Sequence, residues 1–134
     1  MNKRFYFLQI ILFFCICSFS FAEVEVEKQA KIAEDIKQCF SELDNLLSED
    51  DVEDFKNASS EEVANYHFTT GRLIRNNCGL LEDTRLRKFF IDNNIARPDD
   101  MSMVILKCYY LYLNNKDFDI EKLMAKFRGS LDQG

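Results

Sequence analysis

His67, Gly71 and Arg75 are spaced four residues apart, so if the chain around them is one helix their side chains stack along a single stripe. His67 is the only histidine in the chain and the only side chain whose ordinary pKa lies near neutrality, which suits a general base. Base catalysis also needs a nucleophile or an orienting carboxylate within hydrogen-bond reach. Cys78 lies on the same stripe, but eleven residues of helix separate the two by about 16 Å at 1.5 Å per residue, too far for a dyad. His67, between Tyr66 and Phe68, is therefore expected to be a hydrogen-bonded core residue. A glycine inside a helix costs about 1 kcal/mol relative to alanine, so Gly71 implies a close approach by a packed helix or by a ligand. Arg75 falls on the apolar side beside Ala64 and Phe68, where a guanidinium must be paired. Asp99 and Asp100 can take its planar fork in bidentate fashion. The expectation is a clamp between two helices, with an anion-binding arginine in a pocket as the alternative.

Other chemistry-bearing groups point less far. The carboxylate runs Glu49-Asp50-Asp51, Glu53-Asp54 and Asp99-Asp100 lack calcium-loop spacing and the turn glycine of such a loop, and read as helix caps and solvated faces. Beyond residue 22 the cysteines are Cys39, Cys78 and Cys108. An oxidising compartment would allow one disulfide and leave one thiol over, yet each cysteine sits in an apolar helical stripe, and buried thiols are the expectation. Without a CxxC pair and with a single histidine, no metal site is expected, and no cofactor is implied. Tyr109 and Tyr112 are expected in the core, with Tyr110 left outside beside Met103 as a contact surface.

The elements that must position these residues are all helical. Ile32, Ile36, Cys39, Phe40, Leu43, Leu46 and Leu47 recur at intervals of three and four, predicting a helix from about Glu27 to Leu47. Ser48 and Asp51 resemble a capping box opening a short helix through Phe55. Ser59 or Ser60 caps a third helix, from about Glu61 to Asn77, whose apolar arc of about 220° at 100° per residue marks it as the central element. Gly79 is placed to stop it. A fourth helix is predicted from about Glu82 to Asn94. A fifth follows from Met101 to Leu113, capped by Asp99 or Asp100, and a final one is capped by Asp119. The fold class is thus all-α, one compact domain of five to six helices spanning 23–134. Glu23 to Lys28 and Ser130 to Gly134 are expected as frayed ends.

Met1 to Ala22 has the layout of a secretory signal peptide. Lys3 and Arg4 begin it, Phe5 to Phe19 is apolar except for Gln9 and Ser18, and Ser20-Phe21-Ala22 offers small residues at the cleavage positions. The apolar run of about fifteen residues falls short of the roughly 20 needed to span a bilayer. Export to the periplasm or beyond is the expectation, with no stable membrane insertion after cleavage. Loss of Lys3 and Arg4 with the signal takes the net charge from −6 to −8. Such a charge disfavours nucleic acid and anionic lipid and favours a basic protein partner.

The series His67-Phe68, Gly71, Ile74-Arg75-Asn76-Asn77 and Gly79-Leu80, followed by Pro98-Asp99-Asp100-Met101-Ser102, resembles a bacterial exported family of small helical domains of unknown function. Its hallmark is an HF-G-IRNN-GL motif ahead of a PDDMS box. The resemblance covers about Cys39 to Asn114. It implies that His67, Gly71, Arg75, Asn76, Asn77, Asp99 and Asp100 form one constellation, and it names no activity. No catalytic set is recognised. The expected function is a non-enzymatic protein-binding module of the bacterial envelope, of inhibitor or immunity type. The alternative is a small envelope enzyme or ligand binder using a His67, Arg75 and Asp100 cluster.

Overall fold

The computed structural model describes residues 3–131, with side chains described for 21–130. Every regular element among the described residues is helical: α1 (Lys3–Leu46), α2 (Glu49–Asn57), a 3-10 helix (Glu62–Phe68), α3 (Thr70–Asn77), α4 (Arg85–Asp92), α5 (Pro98–Leu113) and α6 (Ile120–Leu131). The chain divides into two compact units, residues 1–34 and 35–134. The described residues of the first all belong to α1. The side chains of the expected signal segment, Met1 to Ala22, lie outside the described residues except for Phe21 and Ala22. No helix among the described residues is long and apolar enough to cross a membrane. Glu23 to Lys28, expected to fray, is helical and exposed. The stretch contains neither glycine nor proline, and its side chains bond one turn ahead: Gln29 donates to Glu25 at 3.3 Å, and Lys31 meets Glu27 at 2.6 Å.

The second unit is built around α5. Met101, Ser102, Val104, Ile105, Leu106, Cys108 and Tyr109 are all buried, so this helix is covered on most sides and packs most extensively on α3. Pro98 opens it at its first turn, three residues before the predicted start, because proline's fixed φ suits a position whose N–H has no helical acceptor. Asp99 and Asp100 thus lie inside the first turn instead of capping it, where their charge meets the positive end of the helix dipole. On the same unit's part of α1, Ile36, Cys39, Phe40 and Leu43 are buried. The Phe40 ring lies 5.3 Å from Tyr109 and 5.9 Å from Phe118, and Tyr109 donates its hydroxyl to Asp44 at 2.7 Å.

Local caps set the boundaries. Ser48 accepts from the Asp51 amide at 3.1 Å, and Thr84 accepts from Arg87, so α4 starts at Arg85 and not at Glu82. Ser59 and Glu62 bond reciprocally, Ser59 N to the Glu62 carboxylate at 2.8 Å and Glu62 N to the Ser59 hydroxyl at 3.3 Å. The backbone N–H and hydroxyl of Ser59 hold the Glu62 carboxyl below its ordinary range. That box opens a 3-10 helix, and the predicted single helix over 61–77 is broken at Thr69, whose backbone is neither helical nor extended. The break turns Phe68 outward to 77 % exposure, away from the apolar arc in which a continuous helix would place it. Tyr110 is half-buried, donating to the Ala58 carbonyl at 2.9 Å, and Tyr112 is the exposed ring of the cluster, the reverse of the expectation.

Candidate functional site

The break at Thr69 means that His67, Gly71 and Arg75 do not share one helical stripe. They nonetheless meet, because Arg75 reaches back along α3 toward the 3-10 helix. Arg75 Nη1 donates to the His67 carbonyl at 3.4 Å and to the Ser102 hydroxyl at 3.1 Å, while Nε faces Asp99 Oδ1 at 3.1 Å. Ser102 is fully buried and donates in turn to the Asp99 carbonyl at 2.7 Å. The Ser102 hydroxyl, the His67 carbonyl and the Asp99 carboxylate thereby each meet the guanidinium. The Arg75 side chain retains 16 % of its exposure and Asp99 retains 49 %, so this is a half-buried clamp at the α3–α5 seam. Asp100, the other expected partner, lies 3.9 Å from Arg97 on the same helix turn instead.

Gly71 is buried beneath this cluster. A Cβ placed there would stand 3.5 Å from Arg75 Nη1, 3.5 Å from the Tyr66 carbonyl and 3.6 Å from His67 Nδ1. These are ordinary contacts, so the approach at Gly71 is by Arg75 and His67 and leaves room for a methyl group. The tight helix crossing, one of the two expectations, does not occur at this position. His67 Nδ1 is buried without a partner among the described residues, and the ring packs edge-on against Phe68 at 5.0 Å.

Asn76 and Asn77 are exposed and point elsewhere. Asn77 donates to the Leu73 carbonyl of its own helix at 2.9 Å, and both line a groove of about 380 Å³ together with Asp35, Glu42, Glu82 and Arg85. One wall of the groove is the α1 segment, the other the end of α3 and the start of α4. The two are joined by a disulfide between Cys39 and Cys78, with Cα atoms 5.1 Å apart. Of the three cysteines expected as buried thiols, only Cys108 is one. Spacing along the chain carries no record of which stripes face each other, and the bridge arises because α1 and the end of α3 do. Burial pushes the Cys108 thiol up to about 12, which makes it unreactive at neutral pH.

Arg85 forks onto Asp35, with Nε donating to Oδ2 at 2.8 Å and Nη2 to Oδ1 at 2.6 Å. Gly79 turns the chain out of α3 with φ of +70°, and a Cβ there would collide with Thr84 Cγ2 at 2.7 Å. Sequence reasoning missed Ser102, although its place three residues after Asp99, one helical turn on, was the available signal. No signal marked the Asp35–Arg85 or Asp44–Tyr109 pairs. More open depressions lie beside Tyr66 and beside Phe118, lined by neither Arg75 nor His67. No group of three or more potential metal-binding side chains occurs among the described residues.

Comparison with curated proteins and with solved structures gives no match. Comparison with protein families gives one over residues 32–113, a span that holds both cysteines of the bridge, the whole arginine cluster and all of α5. The chain belongs to the family described as Domain of unknown function (DUF6794).

Proposed function

We propose that this chain is exported to the bacterial envelope and acts there as a non-enzymatic protein-binding domain for a basic partner. The observation that carries the reading is the acidic groove built over the Cys39–Cys78 bridge. Its lining includes the carboxylates of Asp35, Glu42 and Glu82 against the single cation Arg85, which is held on Asp35. Glu42 and Glu82 are exposed, and neither has a side-chain partner among the described residues, so both face whatever enters. A disulfide in a domain with an otherwise ordinary helical core fits an oxidising compartment, and so does the signal-like layout of Met1 to Ala22. An inhibitor or immunity-type role, in which the acidic domain covers a basic protein, is the form of binding that this charge suits.

The rival reading, an enzyme or ligand binder using His67, Arg75 and Asp100, has the partnerless Nδ1 of His67 in its favour. Against it stand the engagement of Arg75 by three groups of its own fold and the pairing of Asp100 with Arg97. The test is capture from native envelope extract with the tagged full chain, combined with sequencing of the mature N-terminus. The expected result is a start at Glu23 and retention of a basic protein that elutes as salt rises. Cytoplasmic protein with an intact Met1, or no partner retained at low salt, overturns the proposal.

A further inference from the structure

The Cys39–Cys78 bridge is the covalent tie between the walls of the groove, and one end of it is reachable. Cys39 is buried on α1, whereas Cys78 is partly exposed at the end of α3, and both line the groove. The third cysteine offers no route from inside, because Cys108 is fully buried on α5 and its thiol is held protonated. Exchange must therefore come from a thiol that enters through the groove, past Glu42 and Glu82. We propose that the bridge is a thiol-exchange site, opened through Cys78, whose substrate is a dithiol reductant carrying positive charge around its attacking sulfur. The inference rests on the reading of the groove as a face for a cationic partner and adds a reaction to it.

In the first step the incoming thiolate bonds to Cys78 Sγ, the Cys39–Cys78 bond breaks, and its electron pair leaves on Cys39 Sγ, which takes a proton. The second thiol of the reductant then attacks the mixed disulfide, Cys78 departs as a thiolate and is protonated, and the reductant ends as a disulfide. Two electrons pass from the dithiol to the bridge. After exchange the 35–46 segment of α1 is still held by the Asp35–Arg85 fork, the Asp44–Tyr109 bond and the Phe40 ring contacts. It has lost the covalent tie between the groove's two walls. The groove would then be a binding face in the oxidised protein and a loosened one in the reduced protein.

The test uses monothiols of different charge on the folded, oxidised chain: cysteamine, mercaptoethanol and mercaptoethanesulfonate at equal thiolate concentration and low salt, with adducts mapped by mass spectrometry. The expected adduct is on Cys78, and the expected rate order is cationic, then neutral, then anionic, with on the order of tenfold between the extremes from two carboxylates lining the same groove. High salt should compress that order, and so should the exposed, isosteric pair Glu42→Gln and Glu82→Gln. An adduct on Cys39, equal rates for the three thiols, or opening only after denaturation overturns the proposal. An inert bridge in a protein that still captures a basic partner removes the exchange site alone. Exchange as expected with no partner captured removes the binding reading alone.

Discussion

Two sides of one short helix do opposite things with their polar groups. On its inner side α3 presents Arg75 to α5, and the guanidinium is consumed by Asp99, Ser102 and the His67 carbonyl. The next three residues, Asn76, Asn77 and the capping Cys78, line a groove where Glu42 and Glu82 face solvent. The inner cluster contains the residue types associated with chemistry, and we read it as a scaffold because the guanidinium of Arg75 is engaged within the fold, although His67 Nδ1 has no partner among the described residues. The outer groove contains few such types, and two of its three carboxylates, Glu42 and Glu82, have no side-chain partner among the described residues, which is why we propose it as the face for a partner. The sequence suggests the first as a clamp, with a site as the alternative; the unused carboxylates favour the second as the proposed binding face.

The largest expected effect comes from pH and strikes the buried core of α5, away from the groove. Burial, reinforced by the hydrogen bond to Asp44 and that carboxylate's charge, raises the Tyr109 pKa well above the ordinary tyrosine value of 10.0. Cys108, beside it, rises from 9.0 to about 12. Both groups bind protons more tightly folded than unfolded, so their contribution is intact below about pH 9 and is lost as pH climbs from 9 toward 12. Stability should fall by several kcal/mol over that window, at about 1.4 kcal/mol per unit of difference between the two states. Denaturation midpoints at stepped pH check it, and Cys108→Ala should flatten the lower part of the decline.

Removing the bridge tests the outer side. Cys39→Ala with Cys78→Ala releases a closure over a sequence separation of 39, which costs on the order of 4 kcal/mol on loop entropy. Helical circular dichroism at low temperature should persist, since the α3–α5 seam is untouched. Arg75→Ala is expected to cost about 2–3 kcal/mol, because it removes the donor to the buried Ser102 oxygen and to the His67 carbonyl while the half-exposed Asp99 can rehydrate. Equilibrium unfolding in urea reads both losses.

The two glycines of this region divide the same way, with smaller effects of opposite sign. Gly71→Ala places a methyl group at ordinary contact distance in a helix and should gain up to about 1 kcal/mol. Gly79→Ala places one at positive φ against Thr84 and should lose about 1–2 kcal/mol. Thermal midpoints of the pair, moving in opposite directions, would sharpen the contrast between a roomy inner cluster and a strained turn leading to the groove. Parallel shifts would break it.

Much of the fold was legible because helical periodicity is a local signal. The stripe Ile36, Cys39, Phe40 and Leu43 and the almost continuous burial of α5 follow from spacing, as does a stop at Gly79. The break at Thr69 was not legible, since a 3-10 turn and an α-helix draw on similar apolar spacing and neither glycine nor proline marks the join. That one miss displaced Phe68 from core to surface. At the site, the need of Arg75 for a carboxylate was readable from its place on an apolar face, whereas the choice of Asp99 over Asp100 depends on where α5 begins. The Cys39–Cys78 pairing and the Asp35–Arg85 fork lie 39 and 50 residues apart in sequence, and contacts at such separations are set by how helices face one another.

The central claim, that the arginine cluster is structural, is tested most directly by the coupling free energy between Arg75 and Ser102. A double-mutant cycle of Arg75→Met and Ser102→Ala, read by urea unfolding, isolates their interaction from the loss of either side chain alone. The expected coupling is about 1–2 kcal/mol, the range of a buried hydrogen bond to a charged group. A coupling near zero, with Arg75→Met as stable as the unaltered chain, would contradict the claim and return the guanidinium to the role of a ligand-binding group.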